Sequence, residues 1–267
     1  MTNYKIVIPS KSRGDQLYNK TIPFLRRMGV PDFSIFVFIP LGQYNEYKRE
    51  GYNINLITLP DSFSLKLTLN VIHGHYLQEG EKAIRIDDDI EEMYYCPTKK
   101  DLIPIRPHQF DEMVERTFTK LDELGIHLAG INPTGNAYFT STHWGKTRGS
   151  YLVGAFQIFI NNRLLQIRTM ETCEDVEQIC KHIRNDGFCL KLAPITIKTK
   201  WFGTGGLEEV REQHRGFMKQ EHQDLQEMYP ELFTYKLTEK GKKVSVKFKW
   251  KHPRMTDRQE FILRTEH

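Results

Sequence analysis

Apolar and polar residues alternate in blocks along the first ninety residues of the chain. Apolar runs that are rich in β-branched residues predict strands over residues 4–9, 33–39, 54–59 and 83–86. Between these runs, residues 17–29 and 62–78 carry apolar side chains at helical spacing, and residues 45–50 predict a polar helical turn. Strands that alternate with helices indicate βαβ units, so we expect an α/β fold with a mainly parallel, Rossmann-like sheet flanked by helices.

The second half of the chain mixes longer helices with further strands. Helical spacing predicts helices over residues 107–125, 173–185 and 207–229, and apolar runs predict strands over residues 126–131, 152–160 and 192–198. Residues 132–150 are rich in Gly, Thr, Ser and Asn and predict a loop, whereas residues 236–250 alternate around a turn and predict a β-hairpin. We expect one domain over residues 1–232, followed by a basic hairpin and tail over residues 233–267.

The composition is ordinary for a globular chain. Of the 267 residues, 39% are hydrophobic and 27% are charged, and sixteen Phe and twelve Tyr supply bulk for a sizeable core. No apolar run approaches the roughly 18 residues of a membrane helix, so we expect no membrane partner. No signal peptide is visible and the four cysteines do not form a disulfide framework, which indicates reduced thiols and a cytoplasmic location.

Positive charge is concentrated near the C-terminal end. The net charge is +4, but residues 236–254 hold eight basic residues against one acidic residue, so this segment carries +7 and the remainder −3. Such a patch attracts a polyanion, of which nucleic acid is the usual example. The candidate DNA contacts are Lys242, Lys243, Lys247, Lys249, Trp250 and Lys251. A solvated surface hairpin is the alternative interpretation.

Three consecutive carboxylates, Asp87, Asp88 and Asp89, follow the predicted strand over residues 83–86. They repel one another at a partly desolvated strand end, so the cluster is unfavourable unless a cation or basic groups neutralise it. Mg²⁺ and Mn²⁺ prefer oxygen ligands and often bridge carboxylates to phosphate oxygens. In an extended segment Asp87 and Asp89 point to one side and Asp88 to the other. The carboxylates on the two sides could therefore bind different groups, a metal ion and a sugar hydroxyl. A solvated acidic turn or a helix N-cap is the alternative.

The aspartates share an expected sheet edge with a second polar segment, because residues 10–13 also follow a strand and ligands bind beyond the carboxyl ends of parallel strands. The chain presents, in order, a strand, the segment Pro9-Ser10-x-x-Arg13, a helix with Lys66 and Asn70, and a strand followed by three aspartates. This order resembles that of the GT-A glycosyltransferases over about residues 4–210. This resemblance implies a nucleotide-sugar donor such as a UDP-sugar. It also implies that Pro9, Ser10 and Arg13 line the base and ribose pocket, and that Lys66 approaches the nucleotide.

The same resemblance assigns the aspartates. It implies that Asp87 and Asp88 meet the ribose or donor sugar, and that Asp89, together with Asp87, holds Mn²⁺ or Mg²⁺. GT-A enzymes often supply a late histidine as a further metal ligand, and His214 is the candidate here. An exposed helix histidine is the alternative interpretation.

A second run of carboxylates, residues 171–177, opens the helix predicted after the strand over residues 152–160. Acidic residues are common at helix N-termini because they cap free N–H groups and favour the dipole. The run also resembles the Glu-Asp element that GT-A enzymes place beneath the acceptor, which implies Asp175 as the catalytic base and Glu174 as its substitute. Further along, Gly205 and Gly206 would allow close backbone approach to a sugar or phosphate, although a plain tight turn is an equal alternative.

A further resemblance narrows the class of acceptor molecule. The compact size, the Ile-Pro-Ser-Lys-Ser-Arg start and the Ile-Arg-Ile-Asp-Asp-Asp-Ile strand resemble the TET/JBP-associated glycosyltransferases of phages, which are thought to add sugars to 5-hydroxymethylpyrimidines in DNA. It implies a hydroxymethylated DNA acceptor with a flipped base, in the cytoplasm of an infected bacterial host. A polysaccharide, lipid or protein acceptor, a non-catalytic nucleic-acid-binding protein and a nucleotidyltransferase remain alternatives.

Overall fold

Twelve strands lie in the part of the chain that the structure, a computed structural model, describes: residues 3–98, 100–132, 135–140, 152–199, 215–237 and 244–248. They are β1 (Lys5–Pro9), β2 (Ile35–Pro40), β3 (Asn55–Leu59), β4 (Lys82–Ile86), β5 (Glu92–Tyr95), β6 (Ile103–Pro104), β7 (Leu128–Ile131), β8 (Phe156–Ile160), β9 (Leu190–Leu192), β10 (Ile195–Lys198), β11 (Phe233–Leu237) and β12 (Val244–Phe248). Seven form one sheet in the order β3-β2-β1-β4-β8-β7-β9, in which β8 alone runs antiparallel to its neighbours. The predicted α/β fold with a mainly parallel sheet is confirmed.

Helices cover both faces of this sheet. They are α1 (Gly14–Gln16), α2 (Ile22–Arg27), α3 (Tyr44–Tyr47), α4 (Leu65–Val71), α5 (Pro107–Leu124), α6 (Ala137–Thr140), α7 (Arg163–Gln166), α8 (Glu174–Asp186) and α9 (Arg215–Met228), with π-helical turns at Leu17–Thr21 and Ile72–Tyr76. Side chains alternate along β1, so Ile6 joins the core beneath α2 and α5, and Val7 joins the core beneath α4, α8 and α9. The helix α5 ends at Leu124, and the following Gly125 adopts a φ of +63°, which a residue without Cβ tolerates.

The prediction of one continuous strand over residues 192–198 is wrong. The segment is divided into β9, at the edge of the large sheet, and β10, in a three-stranded sheet of order β10-β5-β6. A turn at residues 193–194 separates the two, and Pro194 there has no N–H to donate to a ladder. The strand β5 was not expected, because its residues follow the aspartates and suggested the start of a helix. Its pairing with β10 places residue 199 beside the aspartate turn.

The predicted basic C-terminal hairpin stays a prediction, because only two strands of this region are described. β11 and β12 pair antiparallel, with Lys236 opposite Ser245, and the connecting residues 238–243 lie outside the described residues. The division into a domain over residues 1–232 and an appendage over residues 233–267 stays a prediction. Among the described residues, no helix combines the length and the apolar character that crossing a bilayer requires.

Candidate functional site

The carboxyl ends of β1 and β4 bring the two predicted polar segments into direct contact. The Ser10 hydroxyl donates to Oδ2 of Asp88 at 2.5 Å. The Arg13 guanidinium spans two carboxylates, with Nη1 2.9 Å from Oδ1 of Asp88 and Nη2 2.6 Å from Oδ2 of Asp89. The expectation that these segments share one edge of the sheet is therefore confirmed.

A buried tyrosine also contacts the loop that carries Ser10 and Arg13. Tyr47, the last residue of α3, has its hydroxyl 2.8 Å from Oγ of Ser10 and accepts the backbone N–H of Arg13 at 3.0 Å. Because the Ser10 proton goes to Asp88, the Tyr47 hydroxyl is the donor to Ser10. Gln43 fixes the intervening loop by accepting the N–H of Ser12 at 2.8 Å, and Ser12 holds a left-handed φ of +57°. The loop is thus shaped by side chains from the segment that follows β2.

The aspartates occupy a turn rather than an extension of β4. The Thr21 hydroxyl donates to the carbonyl of Asp87 and accepts the N–H of Ile90, both at 2.9 Å, and thereby closes the turn from the neighbouring helical segment. The expected alternation of the three side chains is consequently wrong, because strand geometry ends at Ile86 and one arginine reaches two consecutive carboxylates. Thr199 donates to Oδ1 of Asp89.

The three carboxylates differ in their partners. Within the described part of the chain, the Asp87 carboxylate makes neither a hydrogen bond nor an ion pair, and burial raises its pKa despite the nearby charge of Arg85. Burial also raises the pKa of Asp88 to about 7, against the opposing influence of Arg13. Three carboxylates facing one contacting arginine leave an excess of negative charge, and their oxygen donors suit a hard divalent cation.

Lys66 contacts the segment before α8 rather than the aspartate turn. Its Nζ lies 2.7 Å from Oε1 of Glu171, and Asn70, one helical turn later, pairs with both the N–H and the C=O of Arg168 at 2.7 and 2.9 Å. The Lys66-x-x-x-Asn70 pattern therefore fastens α4 to residues 168–171. Pro9 ends β1, half-buried and in register with Phe38.

Glu174 is enclosed by two arginines. Its Oε1 and Oε2 accept from Nη2 and Nη1 of Arg85 at 2.9 and 3.2 Å, and Oε2 also accepts from Nε of Arg168 at 3.3 Å. Burial alone would raise the pKa of Glu174, but the two guanidinium groups outweigh it and hold this pKa below its usual value. A carboxylate that is 5% exposed and fully engaged is unsuited to take a proton from an acceptor, so the expected role of Glu174 as a substitute base does not fit.

Asp175 lies at the same helix start but is only half-buried. Its Oδ1 accepts the N–H of Val176 at 2.8 Å. A Cβ on Gly154 would lie 3.4 Å from the Asp175 Cβ and 3.3 Å from Nη2 of Arg85, so the missing side chain lets these residues approach one another. Asp87 and Asp175 both raise the pKa of Arg85, which places both carboxylates beside one guanidinium. The structure thus brings the base candidate into the neighbourhood of the aspartate turn.

The N-terminus of α8 is capped from another helix. Glu221 of α9 accepts the N–H groups of Glu171, Thr172 and Cys173 at 2.5, 2.8 and 3.1 Å. A carboxylate favours this end of a helix because it satisfies free donors and opposes the positive end of the dipole. The acidic run therefore receives its cap from a residue about fifty positions later, which sequence reasoning did not identify.

Several predicted site residues cannot be placed in this arrangement. Gly205, Gly206, His214, Lys242, Lys243, Lys249, Trp250 and Lys251 lie outside the described residues. Lys247 belongs to β12, where its backbone pairs with Thr234. The predictions for these positions stay predictions.

Comparisons with known proteins identify a fold and no family. No protein-family model and no curated protein matches the chain. A mycobacterial protein of solved structure is 12% identical, covers 97% of this chain and 88% of its own, and has a TM-score of 0.52. Glucosyl-3-phosphoglycerate synthase from Mycobacterium tuberculosis, solved with Mn²⁺, UDP and glucosyl-3-phosphoglycerate, is 10% identical over 95% of this chain and 90% of its own, with a TM-score of 0.49. Mannosyl-3-phosphoglycerate synthase from Rubrobacter xylanophilus is 9% identical over 94% and 86%, with a TM-score of 0.46. The first likeness shows the fold alone, in agreement with the α/β architecture described above.

Proposed function

We propose that the protein is a divalent-metal-dependent glycosyltransferase that takes its sugar from a nucleotide sugar, specifically a UDP-sugar. The observation that carries this proposal is the aspartate turn: three carboxylates lie at the carboxyl edge of a parallel sheet against Ser10 and Arg13. That edge is where α/β sheets bind nucleotides. The resemblance to GT-A enzymes assigns the same segments to the donor.

The cation in this proposal is Mn²⁺ or Mg²⁺, held by Asp87 and Asp89. Asp87 offers a carboxylate without a partner among the described residues, and Asp89 retains acceptor capacity beside its bonds to Arg13 and Thr199. When bound, the ion would offset the charge that develops on the departing diphosphate. His214 stays a proposed additional ligand.

The chain's own residues would bind and orient the donor. In this proposal Pro9, Ser10 and Arg13 line the nucleoside pocket, and Asp88 accepts a hydroxyl of the ribose or donor sugar. Among these residues, Arg13 could adjust its side chain to the bound donor, because its guanidinium is partly exposed and bridges two carboxylates. Lys66 would have to leave Glu171 to approach the nucleotide.

Asp175 is the proposed catalytic base. It would take the proton from the acceptor hydroxyl as that oxygen attacks the anomeric carbon and the diphosphate departs. Its partial exposure and its position beside Arg85 support this role over that of buried Glu174.

A hydroxymethylpyrimidine base in DNA is the proposed acceptor. The support is the charge of +7 over residues 236–254 and the antiparallel pairing of β11 with β12. Such a hairpin could follow phosphates while the base is flipped into the site. In this proposal the enzyme works in the cytoplasm, where DNA and nucleotide sugars are both present.

The transfer proposal is tested by incubating the protein with a panel of UDP-sugars, Mn²⁺ and hydroxymethylated DNA, and measuring UDP release and modified nucleosides by mass spectrometry. We expect turnover that EDTA abolishes and that Asp87→Asn and Asp89→Ala each lose. The exposed Asp111 on α5 provides a matched control, and Asp111→Asn should keep full turnover. Turnover that survives in EDTA and in Asp89→Ala would refute the metal assignment, and no UDP release from any donor would refute the transferase.

The acceptor is tested separately by a gel shift at several salt concentrations. We expect salt-sensitive binding of DNA that is lost when Lys242, Lys243, Lys247 and Lys249 are changed together to Glu. If this variant still releases UDP in the absence of DNA but no longer modifies DNA, the basic segment serves the acceptor. Unchanged DNA modification would instead show that the basic segment does not serve the acceptor. UDP release by the wild type without any DNA modification would point to a polysaccharide, lipid or protein acceptor. DNA binding without any UDP release would indicate a non-catalytic nucleic-acid-binding protein.

A further inference from the structure

Three side chains with metal-binding chemistry lie at the opposite edge of the sheet from the aspartate turn. His127 immediately precedes β7, and His182 and Asp186 are one helical turn apart at the end of α8. Since β7 runs in the same direction as β4, its beginning lies at the edge where β4 also begins. The five residues of β4 therefore separate the two edges by about 17 Å along the strand direction.

The donor atoms of this cluster converge. Nδ1 of His127 and Nδ1 of His182 each lie 3.1 Å from Oδ2 of Asp186, and one ligand atom from each of the three residues falls within 4.8 Å of the others. Two ligands bound at about 2.1 Å to one tetrahedral ion are about 3.4 Å apart. The observed spacing thus requires only small movements to accommodate an ion.

Two ligands are buried and the third is accessible. The side chains of His182 and Asp186 are 0% and 1% exposed, whereas that of His127 is 29% exposed. The Asp186 carboxylate is oriented by the backbone N–H of His127 at 3.1 Å and by the side-chain amide of Asn185 at 2.7 Å. An ion could therefore enter past His127, bind three pre-oriented donors and keep a fourth position for water.

The donor set selects a different metal from the aspartate turn. Two imidazole nitrogens and one carboxylate oxygen suit Zn²⁺ and its neighbours Co²⁺ and Ni²⁺, whereas the all-oxygen aspartate turn suits Mg²⁺ or Mn²⁺. We propose that His127, His182 and Asp186 form a second, zinc-class site that joins the start of β7 to the end of α8. The helix α8, which the ion would join to β7, carries Asp175 at its other end. The ion would therefore stabilise the position of this helix and take no part in the reaction.

The test uses the full chain stripped of metal and then titrated with Zn²⁺ in excess Mg²⁺, with binding followed by calorimetry and native mass spectrometry. We expect His127→Ala to bind one zinc ion per chain fewer than the wild type. We also expect Zn²⁺ to raise the melting temperature of the wild type and not that of His127→Ala. His75, an exposed histidine elsewhere, is the matched control, and His75→Ala should behave as the wild type.

A second variant separates a metal ligand from a hydrogen-bonding residue. His127→Cys replaces one zinc ligand by another, so it should recover the lost ion and, with Co²⁺, show a thiolate charge-transfer band that the wild type lacks. Zinc sites elsewhere in the chain are common to all variants and cancel in the difference. Equal zinc stoichiometry and equal thermal shifts in the wild type, His127→Ala and His127→Cys would overturn the proposal and leave a hydrogen-bonded His-Asp-His cluster.

Discussion

Arg85 and Glu174 form a two-point ion pair inside the protein, with their side chains 3% and 6% exposed. Arg85 lies on β4 two residues before Asp87, and Glu174 directly precedes Asp175. The pair therefore connects the strand that ends in the aspartate turn to the helix start that carries the proposed base. Its buried charges make this connection sensitive to the loss of either partner.

Glu174→Gln should destabilise the fold. The change leaves Arg85 and Arg168 buried without the carboxylate that both contact, and breaking a buried ion pair in this way costs about 3 kcal/mol or more. The free energy of unfolding in urea measures the effect. Glu227→Gln, at an exposed position on α9, should change it by less than about 0.5 kcal/mol. A Glu174→Gln variant with unchanged stability and lost turnover would restore Glu174 as a base candidate.

Asp175→Asn should abolish transfer while leaving the donor site intact. The amide cannot accept the proton of the acceptor hydroxyl, and loss of a general base lowers kcat by roughly 10²- to 10⁴-fold. Binding of UDP with Mn²⁺, measured by calorimetry, should stay at the wild-type level because the aspartate turn is unaltered. Asp111→Asn is the control for a surface charge change. Normal turnover in Asp175→Asn would remove this residue from the mechanism.

Thr21→Val should loosen the aspartate turn. The variant keeps the side-chain shape but leaves the Asp87 carbonyl and the buried Ile90 N–H without their partner, a loss of about 2 kcal/mol in unfolding free energy. The Mn²⁺ concentration needed for half-maximal turnover should rise about tenfold, since groups that orient metal ligands have effects of this size.

Thr117→Val provides the matched control for this change. Thr117 is equally buried, but its hydroxyl donates to the Met113 carbonyl of its own helix instead of to the aspartate turn. It should lose some stability and keep the wild-type Mn²⁺ requirement. An equal Mn²⁺ response in both variants would show that Thr21 does not position the turn.

The sequence sufficed for the contacts that a general rule of sheet topology determines. Ser10, Arg13 and the aspartates were expected at one edge because the carboxyl ends of parallel strands coincide there. Thr199 was not expected, because its contact with Asp89 joins residues 110 positions apart through the unpredicted pairing of β5 with β10. No local pattern marks such a hydroxyl.

The different roles of the adjacent carboxylates Glu174 and Asp175 also could not be predicted from the sequence. Glu174 and Asp175 are adjacent, but successive helix residues are turned by about 100°, so one points into the core and the other towards the surface. One signal was available: Arg85 stands between Ile84 and Ile86 in an apolar strand, and a buried arginine requires a buried carboxylate. That requirement favours Glu174 as its partner and leaves Asp175 for chemistry.

Lys191→Met should stabilise the protein at neutral pH. Lys191 lies on β9 opposite Gly130 of β7, half-buried, and within the described residues it has no hydrogen-bond or ion-pair partner. Burial lowers its pKa to about 8, from an ordinary value near 10.5. Below pH 8 the lysine is charged in both the folded and unfolded chain, and its buried charge opposes folding by roughly 2 kcal/mol, which methionine would relieve.

The pH dependence of this effect has a definite sign. Between about pH 8 and pH 10.5 the folded chain loses the Lys191 proton first, while the unfolded chain keeps it, so the wild type gains stability as the pH rises. The stability advantage of Lys191→Met, measured by urea unfolding of both proteins at each pH, should therefore be largest near pH 7 and shrink towards pH 10. Other titrating groups are shared by the two proteins and cancel in the difference. An advantage that stays constant over this range would mean that packing, and not the buried charge, distinguishes the two side chains.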